Sequence, residues 1–305
     1  MTNCGPGGRG TESCCTSLPV TGGTFYRTFS NDGTGPTGEA DPATVSGFRL
    51  DKYLVTVGRF RQFVDAWNAG FTPPAGSGKH VHLNAGRGLV DVAAPPGASG
   101  YEAGWQTSDN AAVAPTDENL SCEGDATWTS APGTQENLPI NCVNWVEAQA
   151  FCIWDQAFLP SEAEWGYAAA GGQEQREYPW GSTDPGTASK YAIYGCLFPN
   201  ADRNCTGVVN YASVGTAAEG AGLWGQLDIE GEVYEWVLDW FALAYVDPCS
   251  DCAVLTQPAV NERVYRGGPL NGFANYLETW QRNSMDPDSQ SDGPGDIGIR
   301  CARTP

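Results

Sequence analysis

The stretch DIEGEVYEW, residues 228–236, is the most informative part of this sequence for predicting the fold. Its central glycine suits a turn, and the aromatic and apolar residues that follow predict a half-buried strand. Four of the first eight residues are acidic. Calcium takes about six to eight oxygen ligands from carboxylates and backbone carbonyls, so such a segment can bind this ion. Two interpretations stay open: a calcium-binding loop, or a turn and strand without an ion.

Three helix starts lie upstream of this stretch. Thr56 can cap a helix whose apolar residues follow at three- and four-residue spacing. Asn144 with Glu147, and Ser161 with Glu164, have the capping-box pattern, in which each side chain bonds the other residue's backbone amide. The sequence therefore predicts at least two main helices, the first after Thr56 and the second after Asn144.

Composition sets the fold class. The 305 residues include 39 glycines and 21 prolines, and no long amphipathic helical run is present. Short strands are predicted around residues 24–26 and 48–50. We predict a loop-rich α+β fold in which two main helices pack on short mixed or antiparallel sheets.

The chain is predicted to form a single domain, because no second-domain linker separates its parts. Residues 1–21 are expected to be an irregular tail rich in cysteine and glycine, and residues 22–305 to form the domain. Residues 70–138, rich in Gly, Pro, Ser and Asp, are predicted to be a long insertion. Cys122 and Cys142 could staple it.

The net charge limits the binding partners that we expect, and the cysteine content indicates the cellular compartment. The formal net charge is −20 with three lysines, so we expect neither nucleic acid nor an anionic membrane surface as a partner. No apolar run reaches the length of a membrane span, so no membrane insertion is expected. Eleven cysteines favour an oxidising compartment. We expect an extracellular, periplasmic or cell-surface protein whose leader peptide has been removed.

Taken in order, several segments resemble the formylglycine-generating enzymes, or sulfatase-modifying factors, whose fold is related to that of C-type lectins. The resemblance runs from Gly22 to Arg303 and rests on YLVT (53–56), LPINCVNW (138–145), LPSEAEW (159–165), YPWG (178–181), DIEGEVYEW (228–236), RGG (266–268) and GIRC (298–301). It implies the irregular α+β fold of that family. Because the family contains oxidases, oxygenases, secretion components and inactive binding proteins, the resemblance alone leaves the function open.

The resemblance implies a structural calcium ion as a cofactor in the 228–236 stretch. The family's ligands there are an acidic or amide side chain, two backbone carbonyls and a glutamate, which correspond to Asp228, Gly231, Val233 and Glu235. A second calcium site of the family has no clear match near Ala192 and Ile193.

The same resemblance argues against copper. Formylglycine synthesis in this family depends on two cysteines that bind copper shortly after the RGG motif, because thiolates suit cuprous copper. Gly272 and Leu277 occupy these two positions here, and Pro269 follows the double glycine. We therefore expect no copper and no formylglycine synthesis.

The segment that replaces the copper site is a candidate ligand surface. Aromatic and amide groups of this kind recognise proteins or carbohydrates, and Trp224 or Trp236 could adjoin them. In the competing interpretation, the aromatic residues at 273, 276 and 280 only fill vacated space. The predicted ligand-binding residues are Asn271, Phe273, Asn275, Tyr276, Glu278, Trp280, Arg282 and Asn283.

Three functions follow. We favour a non-catalytic ligand-binding protein. The first alternative is a metal-dependent oxidase or oxygenase with rearranged ligands. If the H-x-H pair lies on a strand, the side chains of His80 and His82 share one face and form half of a metal site. An exposed histidine pair without function is the simpler interpretation. The second is a structural component of an envelope or secretion assembly.

Three disulfides are predicted. Cys152 and Cys301 match a family disulfide that ties the second helix to the final strand. Cys196–Cys205 and Cys249–Cys252 are expected from proximity alone. The pairing of the remaining cysteines is left open.

Overall fold

The computed structural model describes residues 4–5, 8–289 and 297–305. It is a mixed α+β, loop-rich structure with few helices and several small sheets, as predicted. Among the described residues, none of the helices has the length and apolar character needed to cross a membrane.

Three α-helices begin at the predicted caps. They are α1 (Val57–Asn68), α2 (Trp145–Trp154) and α3 (Glu162–Ala169). The Thr56 side chain accepts a hydrogen bond from the amide of Arg59. Both capping boxes are formed, at Asn144 and at Ser161, so these two predictions are confirmed.

The described strands form four small sheets. Their orders are β1-β4-β12, β10-β9-β6-β11, β2-β3-β7 and β5-β8. Most neighbours are antiparallel, whereas β11 with β6, β3 with β7 and β5 with β8 are parallel. The strands are β1 (Ser17–Val20), β2 (Gly23–Asn31), β3 (Pro36–Val45), β4 (Phe48–Asp51), β5 (Val90–Asp91), β6 (Tyr234–Trp240), β7 (Cys249–Ser250), β8 (Cys252–Ala253), β9 (Arg263–Arg266), β10 (Asn283–Met285), β11 (Ile297–Gly298) and β12 (Ala302–Arg303).

The main core lies between α1, α2 and the sheet centred on β6 and β9. The rings of Phe60 and Phe151 stack with centroids 5.5 Å apart, which joins the two helices. The indole of Trp145, at the start of α2, donates to the carbonyl of Val237 in β6. These contacts fix the second helix on the sheet that carries the end of the DIEGEVYEW stretch.

The N-terminal segment differs from the irregular tail that was expected. Ser17–Val20 pairs antiparallel with β4 from Ser17 opposite Asp51 to Val20 opposite Phe48. A disulfide between Cys4 and Cys14 closes the segment before this strand. Composition concealed the strand because Ser17 and Pro19 have low strand propensity, and pairing with a neighbour compensates for it.

The long insertion packs against the core although it contains little regular structure. Leu89 and Trp105 are fully buried in the main core, and the disulfide Cys122–Cys142 closes the end of the insertion. Side-chain burial and a covalent link therefore replace secondary structure in ordering this segment.

Disulfides use ten of the eleven cysteines and leave the exposed Cys15 free. All three predicted pairs are present, namely Cys152–Cys301, Cys196–Cys205 and Cys249–Cys252. So many disulfides place the protein in an oxidising, extracytoplasmic compartment.

The loop lengths predict unequal contributions from these disulfides. Cys152 and Cys301 are 149 residues apart, whereas Cys249 and Cys252 are 3 apart. In the chain-entropy model, replacing the long-range pair by alanine lowers the free energy of unfolding by about 5 kcal/mol, and replacing the short-range pair lowers it by about 2 kcal/mol. Denaturant unfolding of the two double variants tests this difference. Equal losses would contradict it.

Candidate functional site

The loop before β6 is held in a left-handed backbone conformation. Asp228 and Gly231 have positive φ angles of 55° and 98°. A Cβ atom at position 231 would lie 2.7 Å from the carbonyl oxygen of Ile193, so only glycine fits without movement. The amide of Glu232 donates to the same carbonyl at 2.7 Å, which docks the loop on the segment at Ile193.

A buried ion pair occupies one end of this loop. Glu235 and Arg300 have fully buried side chains, and the guanidinium Nε lies 3.0 and 3.1 Å from the two carboxylate oxygens. The indole of Trp165 donates to the same carboxylate at 2.8 Å. Arg300 Nη2 also donates to the carbonyls of Leu227 and Asp228. Glu235, one of the predicted calcium ligands, is therefore engaged by an arginine and a tryptophan.

Two other carboxylates of the loop accept hydrogen bonds from backbone amides, and one of them retains an unpartnered oxygen among the described residues. Asp228 Oδ2 accepts from the amide of Gly215 at 2.5 Å, and Glu232 Oε1 accepts from the amide of Ala212 at 2.8 Å. Glu232 Oε2 is buried and has no hydrogen-bond partner in the described part of the chain.

Burial raises the pKa of both carboxyls. For Asp228 the pKa rises to about 6, because burial and the charge of Glu235 outweigh the Gly215 amide and Arg300. For Glu232 burial and the charge of Asp228 raise the pKa well above its usual value. A cation would relieve this unfavourable burial. Within the described ranges, however, no three His, Cys, Asp or Glu residues group as a metal site, so carbonyl oxygens would have to complete any calcium coordination.

The segment after the double glycine forms a turn with one buried and two exposed large side chains. Residues Ala274–Leu277 form a short 3-10 helix. Leu277 is fully buried among Tyr178, Tyr194 and Leu197. In contrast, 64% of Phe273 and 42% of Tyr276 are exposed.

Gly272 and Leu277, which the family resemblance predicts to replace the two copper-binding cysteines, are both closely packed. A Cβ atom at Gly272 would lie 2.9 Å from the Pro269 ring, and Leu277 reaches within 2.6 Å of where a Cβ at Gly268 would be. Leu277 therefore fills the space beneath the turn. Phe273 and Tyr276 do not fill this space, because both side chains face outward.

The eight predicted ligand-binding residues separate into two groups. Asn271, Phe273, Asn275 and Tyr276 are exposed together on the turn, and we call these four residues the turn surface. The others serve the fold to differing degrees. Glu278 is half-buried, Trp280 packs edge-on against Phe29, Arg282 pairs with the buried Glu162, and Asn283 lies opposite Tyr265 in the sheet.

Aromatic and cationic neighbours that sequence reasoning missed extend this surface. The guanidinium of Arg203 lies 5.9 Å from the ring centroid of Phe273. Trp180 stacks on Tyr178, which packs against Leu277 beneath the turn. The YPWG motif indicates the fold but not a binding site. No pattern in the neighbouring sequence predicts that Trp180 packs beside a turn about ninety residues later.

The two tryptophans expected near the ligand surface serve the interior. Trp236 is fully buried, and its indole donates to the carbonyl of Val143. Because the strand places this side chain in the main core, Trp236 offers no exposed ring to a ligand. Trp224 stacks on Tyr167 at 5.4 Å.

The two histidines occupy different environments. His80 is fully buried, and its ring nitrogens lie 3.0 Å from Glu102 and 3.0 Å from Glu164. Burial lowers the pKa of His80, but these two carboxylates raise it more, to about 10. The ring is therefore charged and held by carboxylates, not exposed as the simpler interpretation expected. Both ring nitrogens of His82 are buried without a partner among the described residues.

Comparison with known proteins gives a consistent result. Residues 6–305 match the family described as sulfatase-modifying factor enzyme 1-like domain. The chain is 29% identical over 312 residues to the formylglycine-generating enzyme of Thermomonospora curvata, covering 94% of this chain and 93% of the relative. It is 31% identical over 171 residues to the inactive C-alpha-formylglycine-generating enzyme 2 of Mus musculus, covering 54% of this chain and 49% of the relative. The solved structure of PvdO from Pseudomonas aeruginosa superposes with a TM-score of 0.59 at 18% identity, over 96% of this chain and all of that one, which shows a shared fold.

Stability measurements distinguish filling residues from the exposed ones. Leu277→Ala is expected to lower the free energy of unfolding by about 2–5 kcal/mol, because it leaves a cavity. Phe273→Ala and Tyr276→Ala are expected to change it by about 0.5 kcal/mol or less. Denaturant unfolding of the three single variants provides the measurement. A loss of several kcal/mol in Phe273→Ala would show that this ring is part of the core.

Proposed function

Because the chain belongs to the sulfatase-modifying factor family, we propose that it uses this fold as a non-catalytic, extracytoplasmic ligand-binding protein. The ligand is a protein or a carbohydrate, and it binds at the turn surface. The single observation that carries the proposal is the exposure of Phe273 and Tyr276 above a buried Leu277.

The chemistry of the turn surface supports recognition of a ligand. Two exposed aromatic rings, Phe273 and Tyr276, share the turn with two exposed asparagines, Asn271 and Asn275. Aromatic faces contribute contact area at low entropic cost, and amide groups supply donors and acceptors for orientation. The same pair of group types suits a sugar ring or a peptide.

The state of the cysteines supports a function without copper. A cuprous site built on two thiolates needs two free cysteines. Ten of the eleven cysteines form disulfides, and only Cys15 is free, in the N-terminal segment. A relative whose name describes it as inactive is consistent with loss of catalysis on this fold.

We also propose that the loop before β6 holds a structural calcium ion. Asp228 and Glu232 are the side chains that fit, because both are buried and Glu232 Oε2 is unpartnered in the described structure. The carbonyls of Gly231 and Val233 would supply further oxygens, whereas Glu235 is committed to Arg300. The ion would neutralise the loop and hold its left-handed backbone.

Binding assays with a matched control test the turn surface. Labelled protein is screened on a glycan array and, in a second arm, against extracytoplasmic proteins from its native source. We expect specific binding in one arm, with a loss of about tenfold or more in the Phe273→Ala/Tyr276→Ala double variant, since aromatic anchors dominate such interfaces. The control is Val81→Ala, which trims an exposed apolar side chain of the insertion.

Two outcomes would overturn the binding proposal. One is a double variant that binds as tightly as the wild type in the arm that gives the signal. The other is conversion of a cysteine-containing peptide to an aldehyde by the copper-treated protein, detected by mass spectrometry after hydrazide trapping.

Calcium is expected to stabilise the protein. At a hundredfold excess over Kd, a single structural site raises the free energy of unfolding by about 3 kcal/mol, visible as a higher Tm. The Asp228→Asn/Glu232→Gln variant should lose this response. The Glu147→Gln variant, which alters a buried carboxyl outside the loop, should keep it. A wild-type Tm that calcium does not change would contradict the proposed site.

A further inference from the structure

A cleft of about 150 Å³ lies where the insertion meets α2 and the central sheet. It is separate from the turn surface and from the loop before β6. Its lining includes Trp145 and Arg263, Asp109 of the insertion, and the apolar side chains of Leu238 and Leu255. The cleft therefore combines both signs of charge with hydrocarbon.

Arg263 is an unusual cation for a protein interior. It is only 9% exposed, and its guanidinium carbon lies 3.6 Å from the ring centroid of Trp145 and 3.6 Å from that of Trp240. Two indole faces thus enclose it and stabilise its charge through cation–π contacts. Nη1 donates to the carbonyl of Leu238 at 2.6 Å.

In the described structure, Arg263 has a hydrogen-bond donor without an acceptor and a charge without a paired anion. Its Nε is buried with no hydrogen-bond partner, and no carboxylate among the described residues forms an ion pair with it. Burial lowers the pKa of the Arg263 guanidinium, although arginine keeps its proton at physiological pH. A buried cation without a paired anion is costly, and an anionic oxygen brought by a ligand would relieve that cost.

The acidic groups of the cleft differ in their availability. Glu102 is already held by His80, to which both its oxygens are bonded. Asp239 and, less strongly, Asp109 attract Arg263 electrostatically, but neither forms an ion pair with it in the described chain. Asp239 is held by the backbone amides of Glu162 and Val254, whereas among the described residues Asp109 accepts only from the neighbouring Ser108 hydroxyl. Arg263 and Asp109 therefore line the same cleft without pairing with each other, which suits a molecule that carries both an anionic and a cationic group.

Gln149 supplies a neutral polar group to the same cleft. It projects from α2, is only 6% exposed and lines the cleft. Its amide forms no hydrogen bond with the described residues, and its polar atoms are accessible from the cleft. Its donor and acceptor are therefore available to a molecule in the cleft.

We propose that the cleft binds a small zwitterion of the α-amino-acid type. The carboxylate binds Arg263, the ammonium group binds Asp109, and the Gln149 amide bonds the carboxylate from the side. The short side chain contacts Leu238 and Leu255. A cavity of about 150 Å³ holds a molecule of roughly benzene's size, which suits alanine or serine.

Calorimetric titration of the full chain tests this assignment with three probes. L-alanine carries both charges, propionate lacks the ammonium group, and isopropylamine lacks the carboxylate. We expect L-alanine to bind at millimolar concentration or tighter, propionate to bind about tenfold more weakly, and isopropylamine to give no signal, since each charge contact contributes to affinity.

Variants that spare Arg263 keep the test independent of folding. Asp109→Asn should weaken L-alanine about tenfold and leave propionate unchanged, because it removes only the ammonium partner. Gln149→Glu should abolish binding of both carboxylates by placing a negative charge beside Arg263. Glu118→Gln, an exposed position of the insertion, is the charge-matched control and should bind L-alanine as the wild type does.

The outcomes separate clearly. Absence of L-alanine binding by folded wild-type protein would overturn the proposal, as would equal affinity for L-alanine in the wild type and in both cleft variants. Equal affinity for L-alanine and propionate would overturn the zwitterion assignment. The turn-surface variants should leave these titrations unchanged, so the two proposals fail independently.

Discussion

The ion pair between Arg300 and Glu235 is the interaction on which the rest of the structure depends. Both side chains are fully buried, and removing one partner of such a pair leaves an uncompensated charge in the core. The pair is tolerated because the guanidinium donors have acceptors: Nε bonds Glu235, Nη1 bonds the carbonyl of Asp51, and Nη2 bonds two carbonyls of the loop before β6. One side chain thereby joins the end of β4, that loop, β6 and the C-terminal segment.

Acidic groups exceed basic ones in the interior as well as in the whole chain. The structure compensates them in three ways. Some carboxylates pair with buried arginines, and Glu162 with Arg266 is one such pair. Glu102 and Glu164 share the charged His80, which also ties the insertion to the capping box of α3. Others, such as Glu230, are raised in pKa by burial and are accommodated as neutral acids or beside a cation.

The two regions that we propose as binding sites lie outside this framework. The turn surface follows a glycine pair that packs closely on Leu277, so its two exposed rings lie over a buried apolar side chain. The cleft at Arg263 is formed only because the insertion folds back over α2 and β6. Loops that vary while a scaffold holds them commonly carry binding functions, which agrees with a family whose members differ in activity.

The sequence by itself determined the features that depend on neighbours along the chain. Helix starts at Thr56, Asn144 and Ser161, the α+β class and the close cysteine pairs follow from local spacing and composition. The tertiary structure alone decided which side chains share a site. In the folded chain Trp236 lies in the core and Glu235 pairs with Arg300. Asp109 lies close enough to Arg263 to interact with its charge. Burial and ion pairing are set by contacts between residues far apart in sequence, and no local pattern records those contacts.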